Sequence, residues 1–257
     1  DSNYAGLEGG GIYFVHPDTA FVRLEIFSSE FNFNEAGEMG GAIVVANMSV
    51  DGYVDVYLGD LSIEGNGSNS HGGVLVHGPA HLAMGHVNFL NNSASEHSGA
   101  LGLENYVQGF SDFGSFIGNH AENGHSGGVS MTSGANFGLY FNTFANNHSA
   151  SGAHLTALGF ASAQMHGMIL WDYGSGDGSG LMAAELDGMG GYISIHESNV
   201  WNGESSVASL GLGFVDYHTE SNIDVNPFFC NYDEGDFSLD EMTPAVTSDG
   251  EVMGAFG

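Results

Sequence analysis

The sequence predicts an all-β solenoid of about eight coils that stack along one axis. The first observation is a repeat, because small residues recur as landmarks at steps of 30, 32, 27, 28, 25, 28 and 29 residues. The landmarks are Gly10, Gly40, Gly72, Gly99, Gly127, Gly152, Gly180 and Ser209. A period of this size is typical of architectures in which each unit buries its apolar face only against its neighbours. The second observation is that apolar residues alternate with a period of two, whereas no long segment has helical spacing.

Each repeat contains short runs of β-forming residues. Clear examples are residues 53–57, 73–77, 139–144 and 192–196, which glycine, asparagine and serine flank. The chain has 42 glycines and 4 prolines, which fits many tight corners, because glycine adopts positive φ at low steric cost. We therefore expect two or three short strands in every coil.

A phrase of aromatic residue, two spacers and asparagine precedes several landmarks and predicts a polar corner. We expect the corner asparagines to adopt left-handed or bridging conformations and to hydrogen bond from coil to coil. They are Asn34, Asn66, Asn92, Asn119 and Asn147, or its neighbour Asn146. The phenylalanines that recur in register should stack in the core. These are Phe31, Phe33, Phe89, Phe116, Phe141 and Phe144.

The phrases at residues 31–34, 40–43, 89–92, 116–119 and 144–147 resemble the repeats of polymorphic outer-membrane proteins, which are autotransporter adhesins. The resemblance covers roughly residues 9–215 and implies a right-handed parallel β-helix, pectate-lyase-like, at the cell surface or outside the cell. The phrases at 226–229 and 235–239 are similar to a common ending of bacterial β-helix proteins. We therefore expect one domain over 1–257, with repeat coils in 1–215 and a C-terminal coil and cap in 216–257.

The charge of the chain limits its partners. There are 31 acidic residues and one basic residue, Arg23, which gives a formal net charge of −30. Nucleic acids and anionic lipid surfaces are excluded as partners, because both are bound through lysine and arginine. No apolar run is long enough to insert into a membrane. We expect Arg23 to pair with a carboxylate such as Glu25, and the single Cys230 to be a buried thiol.

Two groups of residues are candidate metal ligands. Asp172 and Asp177 lie in an acid–glycine segment that resembles a calcium-binding loop, although a solvated turn explains the same pattern. His71, His97 and His125 each lie one or two residues before a landmark glycine, so we expect them to stack at one corner. Such a column makes either ordinary hydrogen bonds or a transition-metal site.

The function that the sequence favours is a structural or adhesive module, with cell-surface glycans as possible partners. The alternative is a carbohydrate-active enzyme or a carbohydrate-binding protein. Lyases with this fold commonly use lysine or arginine as base, and only Arg23 is present. Acid pairs such as Asp216 with Asp224 could act as general acid and base only at a separation of roughly 5–10 Å. The sequence therefore disfavours an enzyme.

The N-terminal end of the solenoid predicts an assembly surface. Repeat-like sequence begins at Gly9, so Leu7, Ile12 and Phe14 should lie at an apolar end. Either upstream sequence or another subunit covers such an end. We expect head-to-tail or lateral self-association into a filament or layer, because head-to-tail contacts do not close by themselves.

Overall fold

The structure is a computed structural model that describes residues 2–171 and 179–256. It is a parallel β-solenoid of about seven turns, which confirms the predicted all-β class and lies close to the predicted number of coils. In chain order the strands are β1 (Tyr4–Ala5), β2 (Ile12–His16), β3 (Phe21–Asn32), β4 (Glu35–Ala36), β5 (Ile43–Asn47), β6 (Tyr53–Glu64), β7 (Gly67–Ser68), β8 (Val74–His77), β9 (Ala80–Leu90), β10 (Ser93–Ala94), β11 (Leu101–Glu104), β12 (Val107–Asp112), β13 (Ser115–Ile117), β14 (His120–Ala121), β15 (Val129–Met131), β16 (Asn136–Tyr140), β17 (Thr143–Ala145), β18 (His148–Ser149), β19 (Gly152–Leu158), β20 (Ser162–His166), β21 (Ile169–Trp171), β22 (Ser179–Leu186), β23 (Met189–Gly190), β24 (Tyr192–His196), β25 (Asn199–Val200), β26 (Val207–Leu210), β27 (Phe214–Tyr217), β28 (Phe229–Asn231) and β29 (Asp236–Leu239). Two short 3-10 helices span Gly203–Ser206 and Tyr232–Glu234.

The strands form three long sheets, and successive coils add neighbouring strands to each. The first sheet contains β1, β4, β7, β10, β14 and β18. The second contains β2, β5, β8, β11, β15, β19, β22 and β26. In addition, β23 pairs with β22 in antiparallel orientation. The third begins with β3, β6 and β9 and continues as split strands, β12 with β13 being the first pair. Apart from β23, the pairs in these sheets are parallel, as in a solenoid whose coils all run the same way.

The third sheet bends at one register position in each of the first five coils. Ser28, Asp60, His86, Phe113 and Phe141 occupy this position with φ between 49° and 54°. A left-handed residue interrupts the in–out alternation of a strand, so its side chain turns away from the core. This geometry gives the solenoid a corner without a glycine.

The core is a column of inward-facing side chains. Phe89, Phe116 and Phe144 are fully buried and stack at ring-centroid distances of 4.8 and 4.4 Å. The prediction of core stacking is wrong for two phenylalanines that have left-handed backbones. Phe33 is 61% exposed, and Phe141 stacks on the outer surface against Phe113 at 5.5 Å.

The five predicted corner asparagines form a buried hydrogen-bonded ladder. In the pair from Asn92 to Asn119, both the backbone N–H and Nδ2 of Asn92 donate to Oδ1 of Asn119, each at 3.0 Å. Equivalent bonds join Asn34 to Asn66, Asn66 to Asn92 and Asn119 to Asn147. The expected left-handed conformation instead belongs to the residue before each ladder asparagine. Those residues are Phe33, Gly65, Asn91, Gly118 and Asn146, with φ from 54° to 66°.

After β27, Ile223 pairs in parallel with Asn199 of β25, and the C-terminal residues then pack against the side of the last coils. Gly254 N–H donates to the carbonyl of Gly167 at 2.8 Å, and Ala255 N–H donates to Thr143 Oγ1 at 2.9 Å. Ala245 and Met253 form a small apolar cluster with Ile169, Trp171 and Trp201. The expectation of a buried thiol in this segment is wrong, because Cys230 is exposed and free.

Arg23 lies on β3 and makes two contacts. Its Nε is 3.2 Å from Glu25 Oε1, as predicted, and its guanidinium carbon lies 4.3 Å from the centre of the Tyr57 ring. Both members of the ion pair are about half exposed, so the pair contributes little to stability. In the described part of the chain, no helix has the length and apolar character needed to cross a membrane.

Candidate functional site

Three histidine rings form a column on the outer side of the second sheet. The ring centroids of His71 and His97 are 5.3 Å apart, and those of His97 and His125 are 5.4 Å apart. The three residues come from successive coils, and each precedes a strand of the second sheet. The column predicted from the repeat spacing is therefore present. We call His71, His77, His97, Glu104 and His125 the histidine–glutamate cluster.

His71 is positioned by its neighbours in the next coil. Its ring is 1% exposed and lies over Gly102, where a Cβ atom would be only 2.3 Å from Nδ1 of His71. Nδ1 of His71 is 2.7 Å from Ser98 Oγ, and Nε2 is 3.2 Å from Glu104 Oε1. A carboxylate can only accept, so Nε2 carries the proton and Nδ1 accepts from the serine hydroxyl. Glycine at 102 is thus required for this buried imidazole.

Glu104 links two histidines of the preceding coil. Its Oε1 contacts His71, and its Oε2 lies 3.1 Å from Nδ1 of His77. Burial alone would raise the pKa of Glu104, but the hydrogen bonds from His71 and His77 outweigh it and hold that pKa well below its usual range. Glu104 is therefore an ionised carboxylate with restricted solvent access.

The cluster and the serines beside it contain buried polar atoms without hydrogen-bond partners among the described residues. Among the described residues, no atom hydrogen bonds to Nδ1 of His97, to Oγ of Ser126 or to Oγ of Ser130. Ser130 is the register partner of Gly102, and Ser126 bridges to Ser98, so these atoms belong to the same outer face. Leaving such a group unpaired costs about 1–3 kcal/mol. These atoms therefore remain available to bind a ligand.

Burial favours the neutral form of two imidazoles in the cluster, those of His71 and His125. Burial lowers the pKa of His71, although its contact with Glu104 opposes the shift. Burial also lowers the pKa of His125, and the neighbouring His97 adds to that effect. Imidazole nitrogens and carboxylate oxygens can coordinate a cation, and His71, His97 and Glu104 have potential ligand atoms within 4.8 Å of one another.

The other predicted site residues lie apart from this cluster. Asp172 and Asp177, the predicted calcium ligands, fall outside the described residues. Asp216 contacts the hydroxyl of Tyr192 and Nε2 of His218, each at 3.3 Å. Leu7 is 67% exposed at the N-terminal end, where Ile12 and Phe14 are partly buried against the core.

Glu104 was missed by sequence reasoning, although a usable signal exists. It lies five residues after its landmark Gly99, and His77 lies five residues after Gly72. The two residues are register partners at the ends of β11 and β8. Aligning the repeats on their glycines would have placed the acid beside the histidines.

Comparisons with protein-family models, with curated proteins and with solved structures found no match for this chain. The functional interpretation therefore rests on the geometry of the molecule.

Proposed function

We propose that the protein is a structural β-solenoid module that self-associates head to tail. The observation that carries the proposal is the open strand edge at the C-terminal end of the solenoid. β26 pairs only with β22, and β27 pairs only with β24, among the described strands. The chain continues beyond β27, where Ile223 pairs in parallel with Asn199 of β25, and its last residues pack against the side of the coils; among the described residues, no further strand pairs with β26 or β27. Leu210, Leu212 and Phe214 remain 53%, 64% and 57% exposed at this end.

The first coil offers the complementary edge. β2 pairs only with β5, and β3 pairs only with β6, in the described structure. The inward-facing Ile12 and Phe14 are partly buried, whereas their register partners Ile43 and Val45 in the next coil are almost completely buried. Because both ends continue the same parallel sheets, β2 and β3 of a second copy fit on β26 and β27 of the first. Exposed edges of this kind favour pairing, and a head-to-tail contact repeats without closing.

The charge of the chain sets the conditions for this association. Two copies that each carry −30 repel one another, and this repulsion opposes the apolar and backbone contacts at the ends. Salt screens exposed charges, with a Debye length of about 8 Å at 0.15 M ionic strength. Association should therefore strengthen with added salt.

The test is light scattering and electron microscopy of the 257-residue protein over a range of protein and salt concentrations. We expect particles longer than one chain, and their length should increase as the salt concentration rises. Leu212→Asp and Phe214→Asp should shift the protein to monomers, because each replaces an exposed apolar side chain at the open end with a charge. Met242→Asp is the matched control, since Met242 is 78% exposed in the segment after β27. A wild-type protein that stays monomeric throughout, or equal association in all three variants, would contradict the proposal.

We further propose that this module acts outside the cell or at its surface. The resemblance of its repeats to those of the polymorphic outer-membrane proteins supports an adhesive role in that setting. Surface fractionation of the native source, with an antibody against the solenoid, tests this location. Recovery only from the soluble interior of the cell would be evidence against it.

A second candidate function is binding of neutral carbohydrate. The outer face of the third sheet contains a shallow groove of about 320 Å³. It is lined by His81, Gln108, Phe110, Asn136, Tyr140 and Gln164, among others. Rings combined with planar amides provide a stacking surface and convergent polar groups, which are typical of small-molecule sites. Calorimetry with neutral oligosaccharides should show binding that Tyr140→Ala weakens and Tyr106→Ala, on an exposed residue outside this groove, leaves unchanged. Binding that neither variant alters would remove this candidate.

A further inference from the structure

We propose that His71, His97 and Glu104 bind a divalent transition-metal ion, with Zn²⁺ as the best-fitting ion. Their potential ligand atoms lie within 4.8 Å of one another. Two imidazole nitrogens and one carboxylate oxygen form a ligand set that zinc accepts, with a fourth position left for water. Hard cations fit poorly, because Ca²⁺ requires about six to eight oxygen ligands.

The distance between the ligand atoms of His71 and Glu104 already suits an ion. Nε2 of His71 and Oε1 of Glu104 are 3.2 Å apart. Zinc–ligand distances of about 2.0–2.2 Å in a tetrahedron place two ligand atoms about 3.4 Å apart. An ion can therefore take the place of the proton on Nε2 of His71 without separating the two side chains, and exchange with solvent moves that proton to Nδ1. His97 is only partly buried, so its side chain can rotate and bring a ring nitrogen close enough to bind the same ion.

The neighbours of the three ligands have the geometry of supporting groups. Once Nε2 of His71 binds an ion, Nδ1 carries the proton and donates to Ser98 Oγ, 2.7 Å away. The second oxygen of Glu104 stays hydrogen bonded to Nδ1 of His77 at 3.1 Å. Metal-binding histidines and carboxylates usually have such partners, which fix the orientation of each ligand.

The atom without a partner also points to a ligand. Within the described part of the chain, Nδ1 of His97 is buried and has no hydrogen-bond partner. The backbone of His97 is left-handed, with φ of 52°, which places its ring between those of His71 and His125. Coordination, directly or through the bound water, would satisfy this atom. The ion would also join two successive coils, since His71 precedes β8 and both other ligands belong to the coil of β11.

The test starts from protein stripped of metal with a chelator. Titration calorimetry with ZnCl₂ should show one ion per chain, and thermal melts should show a higher Tm with zinc. Glu104→Gln, on a regular strand, should weaken zinc binding by more than about tenfold, as losses around metal sites commonly do. His97→Asn should weaken it similarly, and asparagine tolerates the left-handed backbone at this position.

The matched control is His86→Gln. His86 is exposed, also has a left-handed backbone, and stacks on Phe113 away from the cluster. The His86→Gln variant should bind zinc with the affinity of the wild type. In a separate control, CaCl₂ at the same concentration as ZnCl₂ should not displace the zinc. Circular dichroism of each metal-free variant verifies folding, and Glu104→Gln serves alone if His97→Asn does not fold. Absence of saturable zinc binding in the wild type, or unchanged affinity in Glu104→Gln, would overturn the proposal.

Discussion

Asn119 shows how one side chain holds neighbouring coils together. Its Oδ1 accepts from the backbone and the side chain of Asn92, and its Nδ2 donates to Asn147 and to the carbonyl of Phe89. The residue is fully buried, so water cannot replace these bonds. Each rung therefore stabilises backbone groups on both sides of it.

Replacing Asn119 with leucine should lower the free energy of unfolding by roughly 1–3 kcal/mol, because buried groups of Asn92 and Phe89 lose their partners. Urea denaturation measures this change. Asn123→Leu is the control, since Asn123 is exposed in the same coil. Equal stability of Asn119→Leu and the control would show that the ladder contributes little.

His154 makes stability depend on pH. It is fully buried beside Phe144, with Nδ1 3.3 Å from Nδ2 of Asn147, and burial lowers its pKa from 6.5 to about 3. The unfolded chain therefore binds a proton below pH 6.5 that the folded chain excludes. The stability from this group is complete above that pH and falls as the pH drops towards 3.

Chemical denaturation at a series of pH values tests this. Wild-type stability should fall, relative to His154→Gln, by up to about 1.4 kcal/mol for each pH unit below the ordinary histidine pKa. His86→Gln controls for removal of a surface imidazole. Parallel pH profiles for the wild type and His154→Gln would contradict the assignment.

The sequence predicted the corner asparagines but not the residue that makes the turn. The doublets Asn91–Asn92 and Asn146–Asn147 divide two tasks, because the first residue adopts the left-handed backbone and the second forms the ladder. Gly65 and Gly118 do the first task elsewhere. Asparagine is common in turns, so composition alone cannot tell which residue of a doublet adopts the left-handed backbone and which forms the ladder.

At the scale of elements, two stacks of aromatic rings allow a buried stack to be compared with an exposed one. Phe116 lies between Phe89 and Phe144 in the core, whereas Phe113 lies between His86 and Phe141 on the surface. The two residues are close in sequence, and the ring centroids are 4.8 and 4.4 Å apart in the inner stack and 5.6 and 5.5 Å apart in the outer one. They differ in that Phe116 is fully buried and Phe113 is 43% exposed.

Phe116→Ala should lower the free energy of unfolding by about 3–5 kcal/mol, because it leaves a cavity in the core. Phe113→Ala should lower it by less than about 1.5 kcal/mol, since mainly ring–ring contacts are lost. Thermal and urea melts of both variants give the comparison. Similar losses in the two variants would mean that the outer stack is as important as the inner one.

Strand periodicity predicted the coils well, because inward residues such as Leu101 and Leu103 alternate with outward ones such as Gly102 and Glu104. It failed where a left-handed residue interrupts the alternation, as at Phe33 and Phe141. The histidine column was predictable for the same reason as the strands, since its members keep their distance from the landmark glycines. Glu104 was not predicted, because its partners lie one coil away and only register brings them together.

For the whole molecule, repulsion among its own carboxylates is a destabilising term. The described carboxylates have few cationic partners, and the formal net charge is −30. Raising NaCl from low salt should increase the free energy of unfolding, because the Debye length falls from about 30 Å at 0.01 M to about 10 Å at 0.1 M. Denaturant melts at several salt concentrations measure this.

CaCl₂ at matched ionic strength provides the comparison for the predicted Asp172–Asp177 loop. A further rise in Tm beyond that with NaCl is expected if this loop binds calcium. Equal Tm values in the two salts would assign the effect to screening alone. Stability that falls with NaCl would contradict the repulsion argument itself.

Arg23 gives the molecule an unusual response to proteolysis. Trypsin cleaves after lysine or arginine, so the whole chain has one cleavable bond, between Arg23 and Leu24. This bond lies within β3, the edge strand of the first coil, and an extended strand must detach locally before a protease can bind it. The rate of tryptic cleavage therefore measures the opening of the N-terminal coil. A second molecule seated on that edge would protect the bond.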